Sequence, residues 1–231
     1  LLNVSNNALK QGHYELALQR GSDALDRAII LQDRYVELAI QETLGETLLC
    51  LGDFLRAQQK FEQALLSARS LGARGEELAQ LVHLCHTALA LEQPSVAENY
   101  AHEAVQLAQD AHLEYELYLA WNALGEVRLQ TKDLVAAAEA FQQGVVLIIK
   151  PDRHPFEPIV FVGLCQILLA QNQREQALGY VDELLAWQSA NPLVSFPDPA
   201  RTYLTLYHIL LPQQPARADE IINTGYQLIQ Q

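Results

Sequence analysis

His83 and His86 stand three residues apart, so a helix would carry both on one face. Glu46 and Glu126 lie 40 residues to either side of His86, at what prove below to be equivalent positions. Imidazoles and carboxylates brought together in this way are the donors of a divalent-metal site. No recognised metal signature surrounds them, however, and histidines on a wet helix face are commoner as non-ligands, so the expectation is no metal and no cofactor. A histidine pH switch is equally open. Cys85 lies between the two histidines, and a catalytic thiol needs a paired base and an activated thiolate. Residues one or two steps away on a helix point elsewhere, which makes a packing role the expectation for Cys85. No catalytic residue is assigned, and the chain reads as a non-enzyme.

The elements that position these side chains are bounded first by composition. The chain has 231 residues, half of them hydrophobic, and a formal charge of −13. Such an acidic chain lacks the basic footprint that duplex nucleic acid requires, and it is repelled by anionic membrane surfaces. Cys50, Cys85 and Cys165 form no C-x-x-C pair, and their odd number argues against a disulfide framework. A reducing, cytoplasmic setting is expected. There is no uncharged apolar run of 18 residues and no basic-then-apolar opening, so neither a transmembrane span nor a signal peptide is expected. The chain begins at Leu1, contains no Met, and opens on a helix without its first turn, the pattern of a fragment of something longer.

A 40-residue period runs through the sequence. Stepping by 40 gives Ser5, Gly45, Cys85, Gly125, Cys165 and Thr205, all small. A second column gives Ala17, Ala57, Ala97, Ala137 and Ala177, with Ala218 displaced by one, and a third gives Ala24, Ala64, Ala104 and Gly144, then Leu184. Small residues recur where two helix axes must cross closely. Apolar residues at helical spacing fill the intervals, and tight turns centred on Gly12, Gly52, Lys132 and Asn172 separate the helices. Gly and Asn suit left-handed helix ends, while Asp53 and Asp133 suit the following N-caps. Pro94 fits a first helical turn.

The predicted helix pairs are 1–11 with 14–31, 34–51 with 53–71, 75–91 with 94–111, 113–130 with 132–149, 156–171 with 173–188, and 199–211 with 216–230. Two Pro-rich stretches, 150–158 and 191–199, read as longer connections within one array. Trp187 and Phe196, flanking the second of them, read as loop staples. Gln230 and Gln231 read as the tail of a terminal cap.

Trp121, Leu124, Gly125, Ala137 and Phe141 form W-x2-L-G followed by Ala and Phe on the partner helix. This resembles the tetratricopeptide repeat (TPR). Leu44, Gly45, Ala57, Phe61 and Ala64 repeat the pattern, with Gln41 in place of the Trp. The usual repeat has about 34 residues; the longer 40-residue unit resembles the C-terminal TPR region of bacterial signal-transduction ATPases and of LuxR- or MalT-type regulators. The stretches from Pro199 to Leu211 and Arg217 to Ile222 resemble the tail of such ATPases.

The resemblance implies an all-α, TPR-like superhelical solenoid with a concave groove. It would form one array with units of roughly 1–32, 33–72, 73–112, 113–152, 153–192 and 193–231. Through the resemblance, the first helix of each pair lines the groove, which makes Asn6, Glu42, Thr43, Glu46, His83, His86, Asn122, Glu126, Gln130 and Gln166 the partner-contact candidates. Asn6 and Asn122 could clamp an extended peptide backbone through their amides, and the glutamates favour a basic ligand. The alternative for all ten is a merely solvated helix surface. The functional expectation is a protein- or peptide-binding sensor or scaffold within a larger bacterial signalling protein, with self-association left open. The alternative is a small-molecule inducer sensor of the MalT type.

Overall fold

The computed structural model describes residues 1–148, 158–190 and 199–229. The two Pro-rich connections, Phe196 and the Gln230–Gln231 tail lie outside the described residues. Twelve α-helices and no strand occur among the described residues, and each helix starts and stops within two residues of its predicted bounds. The chain divides into two compact units, Leu1–Ala123 and Leu124–Gln231.

The first unit contains α1 (Leu2–Lys10), α2 (Tyr14–Leu31), α3 (Arg34–Cys50), α4 (Phe54–Leu71), α5 (Arg74–Ala90), α6 (Pro94–Asp110) and the start of α7 (Glu114–Gln130). Each helix from α1 to α5 packs on the next, and α1 also meets α3. Asp33 and Asp53 cap α3 and α4 by accepting from the backbone N–H of Val36 and Arg56 at 3.1 and 3.3 Å. Such a cap is worth about 1 kcal/mol. Pro94 opens α6 as expected.

The turns follow the 40-residue period more strictly than their residue types suggest. Gly12, Gly52, Glu92, Lys132 and Asn172 all have φ between 58° and 75°, one in each of the first five helix pairs. Gln32, Gly72 and His112, which link successive pairs, are left-handed too. Each reversal closes the preceding helix with backbone N–H groups returned to its last carbonyls.

In the second unit, α8 (Leu134–Ile148), α9 (Pro158–Ala170), α10 (Arg174–Ala190), α11 (Pro199–Leu210) and α12 (Pro215–Ile229) pack in sequence, and α9 also meets α11. Asp133 caps α8 through the N–H of Ala136 at 3.1 Å. Val181, Leu184, Tyr203, Leu206 and Ile209 lie in a shared core, and Trp187 packs against it.

The small-residue columns are the helix crossings. Ala17, Ala57, Ala97, Ala137, Ala177 and Ala218 are all fully buried. A Cβ on Gly45 would come within 2.5 Å of the Phe61 ring, and one on Gly125 within 2.7 Å of Phe141. At Ser5 and Cys165, where the column holds a hydroxyl or thiol instead, that group donates to a carbonyl across the crossing. Ser5 Oγ lies 2.8 Å from the Ala17 oxygen, and Cys165 Sγ lies 3.9 Å from that of Ala177.

Candidate functional site

In the first unit, α1, α3 and α5 bring five of the ten candidate residues into two contacts. Thr43 on α3 donates its hydroxyl to the side-chain oxygen of Asn6 on α1 at 2.6 Å. One pair further along, His83 on α5 places Nε2 at 3.5 Å from Glu42 and 3.8 Å from Glu46 on α3. Asn6 with Thr43 and Glu46 with His83 are both 37 residues apart. Asn6 and Glu46 therefore each face a position one helical turn before their own 40-residue equivalents, whereas Glu42 meets His83 at a step of 41.

Glu42 and Glu46 are one turn apart and lie side by side. Burial holds the Glu46 carboxyl above the ordinary carboxylate range, the neighbouring Glu42 charge adds to that, and His83 and Lys10 pull against it. Phe61, from α4, stacks on the His83 imidazole with centroids 4.7 Å apart and planes 6° from parallel. That contact fixes the ring plane and leaves the Nε2 edge toward the carboxylates.

The other candidates are distributed differently. Thr43 and Asn122 are only 4% and 2% exposed, so neither lies on an open face. The Thr43 hydroxyl also lies 2.9 Å from the Ala39 carbonyl of its own helix, so its one hydrogen is shared between that oxygen and Asn6. Asn122 sits between the fully buried Ala120 and Ala123. His86 is half-buried on α5. In the second unit, Glu126 is half-buried, Gln130 is exposed, and the half-buried Gln166 donates to the Thr205 hydroxyl at 3.1 Å.

Two participants carry no signal for this site in the sequence: the repeat pattern marks Phe61 as a packing residue only, and the 40-residue spacing does not set Lys10 near Glu46. A 37-residue step, rather than the 40-residue one, would have paired Glu46 with His83.

Cys85 and Cys165 are fully buried, and burial pushes the Cys165 thiol up to about 12, with Glu183 adding to the shift. Among the described residues, no helix is long and apolar enough to cross a membrane.

No family model and no curated protein matches the sequence. Solved structures do match, and they place the chain in the TPR class of helical-repeat folds. BtubC (BKLC) of P. vanneervenii superposes with a TM-score of 0.72 at 16% identity, covering 93% of this chain and 90% of that one. The nearly identical TPR-like repeats of a Podosopora anserina kinesin light chain give 0.64 at 17% identity, over 84% and 95%. The Pyrococcus horikoshii signal transduction ATPase with numerous domains (STAND), which carries a tetratricopeptide repeat sensor, gives 0.69 at 14% identity. That match covers 98% of this chain but 35% of the ATPase. At these identities the likeness is one of fold.

Proposed function

We propose that this chain is a non-enzymatic protein- or peptide-binding module, the sensor or scaffold part of a larger signalling protein. One observation carries the reading: the first helices α1, α3 and α5 line up a run of part-buried polar side chains, Asn6, Glu42, Glu46 and His83, on one face. Rigid helices hold these groups, so little ordering cost opposes binding. The face carries two carboxylates and the chain a charge of −13, which favours an extended partner with Lys or Arg. The likeness to a STAND protein whose repeat region is described as a sensor supports placing the chain beside a nucleotide-binding module. A cytoplasmic setting suits such a role.

The test is binding of fluorescently labelled peptides by polarisation. Basic peptides should bind more tightly than acidic ones, with affinity falling as salt rises, and Glu42→Gln with Glu46→Gln should flatten that salt dependence. Equal binding of acidic and basic peptides would remove the charge argument.

A second reading, a small-molecule sensor, is favoured by a cavity of about 420 Å³ in the second unit, lined by Gln142, Leu164, Ile167, Tyr180 and Glu183 among others. Its wall mixes Leu164, Ile167 and Leu168 with Gln142, Gln171, Gln176 and Glu183, and small ligands are held by apolar surface with polar groups that fix their orientation. A ligand that raises the melting midpoint, and loses that effect in Ile167→Trp, would decide for it.

A further inference from the structure

Glu42, Glu46 and His83 meet with the spacing of a metal site. One donor atom from each residue lies within 4.8 Å of the others, two carboxylate oxygens and one imidazole nitrogen. Zinc bonds to such donors are about 2.0–2.2 Å long, so ligand atoms at the corners of a zinc tetrahedron stand roughly 3.3–3.5 Å apart. The His83–Glu42 separation of 3.5 Å has that edge length, and the His83–Glu46 separation of 3.8 Å closes to it by a small side-chain rotation.

Two further observations point to a cation. First, the imidazole is preset: the flat stack on Phe61 holds its ring plane before any ion arrives. Ligand orientation of this kind is what supporting residues supply in metal sites. Second, two carboxylates one turn apart are drawn partly out of water, and among the described residues His83 is the only basic group within ion-pairing distance of either. A dication between the carboxylates would remove their repulsion and supply the missing charge.

We propose that Glu42, Glu46 and His83 bind one divalent transition-metal ion of the zinc class, leaving at least one coordination position for solvent or a partner's side chain. Calcium is disfavoured because it takes six to eight oxygen ligands, and magnesium because it is bound through oxygens alone; an imidazole with two carboxylates suits zinc, cobalt or nickel. The site was not evident at 40-residue spacing, which matched Glu46 to His86 and Glu126 and passed over Glu42. The inference does not depend on peptide binding, since the ion alone is the probe.

The test uses the 231-residue chain after chelator treatment and dialysis. Zn²⁺ is followed by calorimetry and Co²⁺ by its visible absorption. One ion per chain should bind, the melting midpoint should rise with Zn²⁺, and affinity should fall on acidification because the ligands must be deprotonated. Glu42→Gln, Glu46→Gln and His83→Gln should each weaken binding by at least about tenfold, the lower end of what even an orienting partner contributes. His102→Gln, which removes an exposed histidine paired with Glu98 on α6, should leave binding unchanged. If His83→Gln disturbs the Phe61 contact and the fold, the two near-isosteric Gln variants decide. A stoichiometry far from one, binding unaffected by the Glu42 and Glu46 variants, or equal loss in His102→Gln would overturn the proposal.

Discussion

The imidazole of His83 and the ring of Phe61 lie parallel, 4.7 Å apart, and the same Phe61 ring covers Gly45. Phe61 is fully buried, so it has no free volume into which to retreat. One aromatic ring thus closes the α3–α4 crossing and props the histidine of the candidate site. In the second unit Phe141 occupies the matching place, above Gly125 and against Gly163, the residue 80 positions after His83. The packing motif is shared, and only the first unit puts an imidazole on it.

Gly45→Ala separates this packing role from simple helix propensity. In an open helix interior the change would stabilise by about 1 kcal/mol. Here the added Cβ would sit 2.5–2.8 Å from three Phe61 carbons, so overpacking should dominate and cost about 1–3 kcal/mol. Denaturant unfolding measures the sign. A higher midpoint in Gly45→Ala would contradict the crossing geometry.

The fold was legible because its determinants recur at fixed sequence distance. The Ala17–Ala177 column had to be small for the helices to touch, and burial of every member follows from that. The turns were legible at Gly12, Gly52, Lys132 and Asn172, but Lys132 and Glu92 adopt the left-handed conformation without the residue type that signals it. There the neighbouring helices dictate the backbone. The site was harder to read because stepping by 40 aligns equivalent points on successive units, whereas contact joins points that are not equivalent. Adjacent first helices touch with an offset of about one turn, so Glu46 meets His83 and Asn6 meets Thr43. Burial of Asn122 and Thr43 was hidden for a related reason: amide and hydroxyl groups look outward-facing in a pattern until a helix carbonyl or a neighbouring core claims them.

Gln80 breaks the core pattern in a way that stability can test. It is fully buried in the column of Ile40 and Ala120, both also fully buried, and neither its Oε1 nor its Nε2 has a hydrogen-bond partner among the described residues. A buried polar group without a partner costs about 1–3 kcal/mol. Gln80→Leu keeps nearly the same volume and should raise the melting midpoint by a corresponding amount. A lower midpoint would show that the amide is satisfied in solution.

Thiol chemistry distinguishes a packing role for the cysteines from a catalytic one. Cys50 is exposed, whereas Cys85 and Cys165 are fully buried. Alkylation of the native chain should modify one thiol, and denaturation should release the other two. The reaction at Cys50 should be slow near neutrality, because partial burial raises its thiol above the ordinary 9.0 despite the hydrogen bond from Tyr14. Rapid, selective modification of Cys85 or Cys165 would reopen an enzymatic reading.

Glu46 gives the pH prediction, and its sign follows from linkage. Burial, with Glu42 beside it, raises the folded-state value above the ordinary 4.5, outweighing His83 and Lys10. Between 4.5 and that raised value the folded chain holds more protons at this site than the unfolded chain, so the site's contribution to stability declines as pH rises through the window. Above the window the ionised carboxylate is a constant cost. Glu46→Gln removes the cost without changing the side chain's shape. In chelator-treated protein the variant should therefore be more stable than the parent at pH 7–8, and the two should converge near pH 4. Zn²⁺ should reverse the order at neutral pH, because the parent alone keeps all three ligands. Equal stability across the whole range would mean that solvent already neutralises the crowding of Glu42 and Glu46, and the electrostatic case for a cation between them would fall with it.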